Sequence, residues 1–466
     1  MIGKIIDFTN DALYSYVLII LLVLGGIYFT VRTRFAQFRL LGQQFKAVSE
    51  KSDKNGVSSF QALMVSTASR VGTGNIIGVA TAICLGGFGS VFWMWVIAII
   101  GAATAFVEST LAQIYKKRGK DGCYGGPAYY IEAATKKRWL AVAFSVFLIL
   151  TYGFGFNMLA SYNLQSTFSS YGFYNASYTP WIIGFVIAAL VCYCLIGGGK
   201  RIISVTSFLV PIMGALYILV AILVSFINIK ALPAVFVEIF KGAFDLRAIF
   251  GGFSGSCVMY GIKRGLFSNE AGVGSAPNAS ASAEISHPAK QGLVQVLSVF
   301  IDTLLVCTAT AFMCMTSGVT PPSASDGAAA YVQEALSSSI GAVGTIFITA
   351  SMILFAFTTL LGNLFYVDKT VNYLLGKEPS RSFRNVTYVI ASLVIFLGAG
   401  LSADLLWGIA DITMGAMTLI NMPIIIYLGK YAIRALRDYE GKLKGGKEIS
   451  FKKDDIGLPH RTDYWN

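Results

Sequence analysis

The sequence predicts an all-α protein that crosses a membrane many times. Hydrophobic residues make up 55% of the 466 residues and charged residues 13%, about half the charged share of a typical soluble domain. Apolar stretches of about 20 residues, the length of a membrane-spanning helix, recur along the chain. These stretches are continuous, whereas the strands of a membrane barrel alternate polar and apolar residues. The pattern therefore favours helices and excludes a barrel.

The hydropathy pattern divides the chain into eleven predicted spans. They cover residues 14–31, 60–85, 90–114, 139–167, 180–197, 202–226, 248–269, 292–317, 341–367, 386–401 and 405–429. The first span has Asp7 and Asp11 before it and lacks a small-residue cleavage site. We therefore expect it to remain as a helix rather than to be removed as a signal peptide.

Most Lys and Arg residues belong to loops on one face of the predicted bundle. These loops are 32–54, 116–138, 200–201, 263–290, 369–384 and the segment from residue 430 onward. The positive-inside rule places this face in the cytoplasm, with the amino terminus outside and the carboxyl terminus inside. The net charge of +12 is thus interpreted as a topology signal and not as a sign of nucleic-acid binding.

The spans after the first are expected to form two repeats of five. The predicted divisions are an extra helix with a cytoplasmic loop at 1–59, the first repeat at 60–226, an outer amphipathic linker at 227–247, the second repeat at 248–429 and a basic cytoplasmic tail at 430–466. Because each repeat has an odd number of spans, the second must insert with the opposite orientation. The division predicts an inverted repeat.

Each repeat opens with a span that glycines interrupt. The first contains Val-Gly-Thr-Gly-Asn at 71–75, and the second contains Gly-Gly-Phe-Ser-Gly-Ser at 251–256. Unwound backbone exposes polar groups, which a membrane tolerates only where they line a cavity or bind something. Paired broken helices at corresponding positions are typical of secondary transporters. The alternative is that these glycines only allow two helices to pack closely.

Cysteine and histidine usage argues against a metal site or a disulfide framework. Six of the seven cysteines lie in apolar segments, and Cys123 lies in a basic loop, so we expect small core residues. The two histidines, His287 and His460, are too few for an imidazole metal site.

Three motifs closely resemble the alanine or glycine:cation symporter family. They are Arg70-Val-Gly-Thr-Gly-Asn75, Gly125-Gly-Pro-Ala-Tyr-Tyr-Ile131 and Lys263-Arg-Gly-Leu-Phe-Ser-Asn-Glu-Ala-Gly-Val-Gly-Ser-Ala-Pro-Asn278. The resemblance extends over residues 55 to 425. It implies a leucine-transporter-like fold of two inverted five-helix repeats with one extra N-terminal helix. It also implies that small amino acids move with sodium across the cytoplasmic membrane of a prokaryote.

The break in the first repeat is expected to bind the substrate carboxylate. Free N–H groups of Gly72, Thr73 and Gly74 lie at the positive end of the half-helix that follows. Carbonyls released in the second broken span could accept hydrogen bonds from the substrate ammonium. The expected substrate-binding residues are Gly72, Thr73, Gly74, Asn75, Gly252, Ser254, Gly255, Ser256, Ser161, Trp407 and Asp411.

One stretch departs from the family pattern. The family commonly has a glutamine followed by Asn-Thr in the third core helix, where this chain has Ala-Ser-Tyr-Asn at 160–163. The missing amide and the added aromatic ring are expected to change the size and polarity of the substrate pocket.

The resemblance also implies a sodium (Na+) site between the first and eighth core helices. Its expected ligands are the carbonyls of Ala68, Val71 and Phe355 and the hydroxyls of Thr358 and Thr359. Sodium is a hard cation that prefers oxygen ligands. Adjacent threonines in an apolar helix have another interpretation, because their hydroxyls can bond back to a preceding carbonyl.

Charged residues near the broken spans are interpreted as gates. Arg70 adjoins the first break, and Lys263, Arg264 and Glu270 are placed at the cytoplasmic end of the second broken span as an inner gate and helix cap. A simple positive-inside anchor explains the two basic residues equally well. Glu108 and Asp302 are expected to be structural.

These expectations favour a transporter, not an enzyme. The leading hypothesis is sodium-coupled symport of alanine, glycine or a similar small neutral amino acid by alternating access, with the lipid bilayer as its surroundings and no nucleic-acid partner. Proton coupling through Glu108, Asp302 or Asp411 is the first alternative. A polytopic membrane enzyme is a weaker alternative, since no catalytic constellation appears near an interface, and a solute sensor would need a larger signalling domain than the tail provides.

Overall fold

The computed structural model describes residues 6, 8–10, 12–50, 56–119, 122–245, 256–459 and 462–465. The described residues are predominantly helical, as the sequence predicts. The main helices are Leu18–Arg32, Leu41–Val48, Ser59–Arg70, Val79–Gly86, Gly89–Ile114, Pro127–Thr135, Arg138–Leu148, Phe156–Ser166, Thr179–Leu195, Gly198–Ile227, Leu232–Ala243, Cys257–Asn269, Pro288–Val299, Thr308–Met315, Ala328–Ile340, Ala342–Leu375, Arg381–Gly398 and Ala403–Lys444. The sheet within these ranges is one antiparallel hairpin of Lys117–Gly119 and Gly122–Tyr124.

Six helices in the described ranges are long and apolar enough to cross a membrane, and a bent pair makes a possible seventh. The six are Gly89–Ile114, Arg138–Ser166, Gly198–Ile227, Pro288–Met315, Ala342–Leu375 and Ala403–Lys444. Arg138–Ser166 and Pro288–Met315 each comprise two of the helices named above. Leu18–Arg32 and Thr179–Leu195 are apolar but shorter. Every predicted span overlaps a helix. The count of eleven and the inverted repeat stay predictions.

The first core span is broken where its glycines predict. A capping box between Ser58 and Gln61 starts the helix Ser59–Arg70. The chain leaves the helix at Val71, whose φ is −76° and ψ is 86°, and it resumes as Gly74–Gly86 at an angle of 50°. The resumed helix begins with a π-helical turn, a feature that often occurs at functional sites.

The break that the structure shows in the second repeat lies later than predicted. Residues 251–255 of the predicted break are outside the described part of the chain. The helix Cys257–Asn269 ends at Glu270, whose φ is 54°, and Gly272 and Gly274 follow with φ values of 88° and 89°. Such values favour glycine and end a helix. The interruption therefore spans 270–276, before the short helix Pro277–Ser280.

The last helix is longer than the span that hydropathy predicts. It runs from Ala403 to Lys444, past the predicted end at residue 429. Buried side chains that include Tyr431, Leu436 and Tyr439 continue its packed face, so the helix keeps a partner beyond the apolar stretch.

Candidate functional site

Asn75 shapes the first break. Its Oδ1 accepts a hydrogen bond from the Gly72 N–H at 2.7 Å, so the Ala68 carbonyl loses the N–H that an unbroken helix would supply. The Asn75 Nδ2 donates to Asp302 Oδ1, also at 2.7 Å. Both side chains are fully buried. The Asn75 side chain thus holds the unwound backbone and anchors it to a second helix.

Asp302 connects the two broken helices. Its Oδ2 accepts hydrogen bonds from Ser268 Oγ at 2.8 Å and from Thr303 Oγ1 at 2.7 Å. Ser268 lies at the end of the helix Cys257–Asn269, while Asn75 lies in the helical segment that resumes after the first break. The residue expected to be merely structural therefore lies between the two breaks.

Glu270 makes a second connection between the breaks. Its two carboxylate oxygens accept hydrogen bonds from Ser69 Oγ at 2.8 Å and from Ser275 Oγ at 2.6 Å. Ser69 lies in the last turn of the first half-helix, and Ser275 lies within 270–276. Glu270 is completely buried.

Arg70 is a buried cation beside this carboxylate. It is 2% exposed and interacts electrostatically with Glu270 and Asp302. Its NH1 donates to Gln295 Oε1 at 2.8 Å, while its Nε and NH2 have no hydrogen-bond partner among the described residues. Gln295 is a partner that the sequence pattern did not reveal.

Thr359 faces the first break with an unused hydroxyl. Its Oγ1 is buried and lacks a hydrogen-bond partner in the described part of the chain, and a Cβ added at Gly72 would overlap it. Gly362 lets the two helices approach, because a Cβ there would lie 2.7 Å from the Ser69 nitrogen. The structure thus places one predicted sodium ligand, Thr359, against the first break.

Thr358 is placed differently from its neighbour. Its hydroxyl donates to the Leu354 carbonyl at 2.9 Å, the local bond that threonine commonly makes inside a helix. It also approaches the Phe355 carbonyl at 3.2 Å. Of the two threonines, Thr359 is the one with an unsatisfied oxygen.

Arg264 and Asp411 form a buried, bidentate ion pair. Both guanidinium NH groups lie 3.2 Å from the Asp411 carboxylate oxygens, and Lys263 Nζ lies 2.9 Å from Asp411 Oδ2. The Arg264 guanidinium also stacks 3.8 Å from the centre of the Trp407 ring. Two residues expected to contact substrate, Trp407 and Asp411, therefore contact the expected gate residues Lys263 and Arg264. Their contact with substrate stays a prediction.

The ion pair lies on the helix that precedes the interruption at 270–276. Lys263 and Arg264 were predicted to follow a break at 251–256. Its helix begins at Cys257, whose Sγ donates to the Gly242 carbonyl at 3.3 Å in the predicted outer linker. Beyond the break the chain reaches Ala283, which pairs with Val57 before the first core helix. Lys263 and Arg264 thus lie in a helix whose first residue contacts the predicted outer linker and whose last residue precedes the interruption at 270–276. Their role as a gate stays a prediction.

Ser256 is also far from the break. Its hydroxyl accepts the Met259 N–H at 3.3 Å and caps the start of its helix, whereas the interruption is at the other end. Its contact with substrate stays a prediction. Gly252, Ser254 and Gly255 lie outside the described residues.

Aromatic rings cover the first break. Phe267 packs between Phe156 and Trp407, with ring centres 4.4 and 4.8 Å apart. A Cβ at Gly74 would lie 2.8 Å from the Phe267 ring. Sequence reasoning missed Phe156 and Phe267, although Phe267 belongs to the distinctive motif at 263–278.

Polar groups of the third core helix also reach the break. Asn163 Nδ2 donates to Thr73 Oγ1 at 3.2 Å. Asn163 Oδ1 and Ser161 Oγ are buried without a hydrogen-bond partner among the described residues. Buried oxygens of this kind are suited to a ligand that carries donors.

Comparison with known proteins gives a consistent assignment. The model of the sodium:alanine symporter family matches residues 1–453. The chain is 42% identical to "Probable sodium/glutamine symporter GlnT" of Bacillus subtilis, over 100% of this chain and 96% of that one. It is 41% identical to "Putative sodium/proton-dependent alanine carrier protein YrbD" of the same organism, over 98% and 96%.

A solved structure shows the same fold. The crystal structure of MhsT in complex with L-phenylalanine matches with a TM-score of 0.51, covering 86% of this chain and 91% of MhsT at 16% identity. This likeness concerns the fold alone. The family match over residues 1–453, with the names of the relatives, indicates a transporter rather than an enzyme: the chain belongs to the sodium:alanine symporter family.

Proposed function

We propose that this protein carries small neutral amino acids such as alanine or glycine into the cell together with sodium, by alternating access. It would lie in the cytoplasmic membrane with its amino terminus outside. The observation that carries the proposal is the unpartnered Thr359 hydroxyl against Gly72. At the same break, the Ala68 carbonyl lacks its helical partner, so two oxygens are available to one cation.

The proposed sodium site contains only oxygen ligands. Besides Ala68 and Thr359, it uses the carbonyls of Val71 and Phe355 and the hydroxyl of Thr358. The Thr358 proton already points to a carbonyl, which leaves the lone pairs of its oxygen for a cation. No ligand of this set titrates near neutral pH, which supports coupling to sodium.

The substrate is proposed to lie across the first break. The N–H groups of Thr73 and Gly74 precede the hydrogen bonds of the half-helix Gly74–Gly86 and suit a carboxylate. The free acceptors of Ser161 and Asn163 suit an ammonium group. Phe156 and Phe267 limit the space for a side chain, which favours small substrates.

Alternating access requires closure on each side of this site. The ion pair of Arg264 with Asp411, covered by Trp407, supports an outer closure. The pairing of Val57 with Ala283 supports an inner closure, where the first half-helix meets the chain that follows the second break.

Proton coupling is a second candidate. Asp302 is a buried carboxylate bonded directly to the break residue Asn75, and one relative is named for dependence on both sodium and protons. A proton on Asp302 would change the hydrogen bonds that shape the break.

Uptake into sealed vesicles containing the purified protein tests both candidates. Labelled alanine, glycine and glutamine would be supplied with a sodium gradient, with choline in place of sodium, or with a proton gradient alone. We expect concentrative uptake of alanine or glycine only with sodium. Equal uptake under a proton gradient in choline would contradict sodium coupling, and preference for glutamine would contradict the proposed substrate size.

A further inference from the structure

The chain after the helix Ala403–Lys444, residues 445–459 and 462–465, forms a tail that folds back onto the body of the protein. Phe451 and Trp465 are 6% and 7% exposed, and their rings meet edge to face with centres 5.3 Å apart. The Trp465 indole N–H donates to the Gln113 carbonyl at 2.7 Å. These contacts fix the tail beside the end of the helix Gly89–Ile114.

The tail reaches the residues that hold the inner closure. Lys116 is fully buried, and its Nζ lies 3.8 Å from the centre of the Tyr464 ring. The same Nζ donates to the Ala283 carbonyl at 2.9 Å. Gln113 Nε2 donates to this carbonyl at 2.9 Å as well. Tail aromatics therefore contact Lys116 and the backbone of Gln113, the two residues whose side chains bind Ala283.

The segment around Ala283 supports the cytoplasmic end of the first half-helix. The Glu284 N–H donates to the Val57 carbonyl at 2.9 Å. Ala62, Ala283 and Ile285 form a small apolar cluster, and Ala62 is completely buried in it. Inward opening at this point would have to separate Ala62 from Ala283 and Ile285.

A second set of tail contacts lies immediately beyond this segment. The buried His287 ring packs edge to face against Phe451 with centres 4.9 Å apart, and its Nε2 lies 3.0 Å from Asp438 Oδ2. Lys442 Nζ joins Asp438 to Asp455 of the tail at 2.7 and 2.8 Å. The segment 283–287 is therefore held by the tail near both of its ends.

We propose that the tail, residues 445–459 and 462–465, is a latch that stabilises the closed state of the cytoplasmic side. Its aromatic residues restrain 283–287, and this segment is the surface on which the first half-helix closes. Loosening the latch shifts the population toward the inward-open state. The proposal rests on alternating access, the proposed transport mechanism.

A cysteine at the closure surface measures this opening. Ala62→Cys would be introduced together with Cys123→Ser, because Cys123 lies in the neighbouring hairpin and could also be labelled. The thiol at position 62 would then be labelled with a maleimide from the cytoplasmic side. The Cys123→Ser protein without Ala62→Cys gives the background. Trp465→Ala and Phe451→Ala loosen the tail, while Lys447→Ala, at an exposed tail position, is the matched control.

We expect Trp465→Ala and Phe451→Ala each to raise the labelling rate at least about threefold, and Lys447→Ala to leave it unchanged. Unchanged labelling in monodisperse protein that carries either aromatic variant would overturn the latch. If Trp465→Ala does not fold, Phe451→Ala and Trp465→Phe decide the question. Sodium-dependent thermal stabilisation by alanine, measured on the same samples, tests the proposed function separately from the latch.

Discussion

Asp302 accepts a hydrogen bond at 2.7 Å from Asn75, a residue 227 positions earlier in the chain. Asn75 in turn accepts the Gly72 N–H at the same distance. The geometry of the first break therefore depends on a carboxylate from another helix. Since Asp302 also accepts a hydrogen bond from Ser268, the two broken helices share one anchor.

Asp302→Asn should weaken amino-acid binding by about tenfold or more, because an amide in place of the carboxylate cannot accept from Asn75, Ser268 and Thr303 as well as the charged group does. Thermal stabilisation of purified protein by alanine would measure this effect. Asp404→Asn, at an exposed position, serves as the control. An unchanged affinity in Asp302→Asn would remove the role assigned to this anchor.

Thr359→Val should raise the sodium concentration for half-maximal uptake by about tenfold, since a methyl group of similar size replaces a liganding oxygen. Thr358→Val should also raise this concentration, because the Thr358 hydroxyl gives its proton to the Leu354 carbonyl and keeps its lone pairs for the cation. Sodium titrations of alanine uptake compare the two. Thr413→Val, which removes a similar local bond elsewhere, reports the cost of losing such a bond. Equal sodium activation in Thr359→Val and wild type would contradict the site.

Gly74→Ala should abolish alanine binding while the protein still inserts and purifies as a single species. The added methyl would meet the Phe267 ring at the proposed substrate carboxylate site. Gly214→Ala is the matched control, because a Cβ there meets nothing within 4 Å. If the glycine serves only helix packing, Gly74→Ala would instead lower expression and leave normal affinity in the folded fraction.

Asp411→Asn should lower the free energy of unfolding by about 3–5 kcal/mol, because the buried charges of Lys263 and Arg264 would lose their carboxylate partner. A variant with Lys263→Met, Arg264→Met and Asp411→Leu removes all three charges and should regain much of that stability. We expect it to remain defective in uptake, since the outer closure would no longer form and break through charge pairing. Normal uptake by this variant would show that the ion pair is only structural.

His287 should make the protein less stable below pH 6.5. Burial lowers the pKa of His287 to about 4 from its usual 6.5, and its Nδ1 accepts the Ala289 N–H at 3.1 Å, which requires an unprotonated nitrogen. The unfolded chain then binds a proton between pH 6.5 and 4 that the folded chain does not. Stability falls with falling pH by up to about 1.4 kcal/mol per unit in this window. In His287→Gln, the melting temperature should change less between pH 7.5 and 5 than it does in the wild type. The same change with pH in both proteins would contradict this assignment.

The site was only partly predictable from the sequence. Gly72 and Gly74 mark the first break because two glycines that bracket a threonine within one span allow the backbone to leave the helix. The second break was assigned to 251–256, of which 251–255 lie outside the described residues, whereas the positive φ values described between residues 256 and 290 are those of Glu270, Gly272 and Gly274. Both stretches contain several glycines, and composition alone does not reveal which of them leaves the helical region.

The partners of the buried charged residues were less predictable from the sequence than the breaks. Arg264 and Asp411 are separated by 147 positions, and no local pattern connects them. Each was assigned a separate role, as a gate residue and as a substrate contact. A buried arginine requires a carboxylate, but only the packing of the helices Cys257–Asn269 and Ala403–Lys444 selects which one.

The sequence by itself determined the helical membrane class, the position of the first break and the family. These follow from local properties: apolar length, the backbone freedom of glycine and an unusual motif at 263–278. Only the tertiary structure decided that Asp302 and Glu270 join the two breaks, that Thr359 rather than Thr358 has a free oxygen, and that Arg264 pairs with Asp411. Those features depend on which residues face one another across helices distant in sequence, and burial then requires each polar group to find a partner or leaves it available for a ligand.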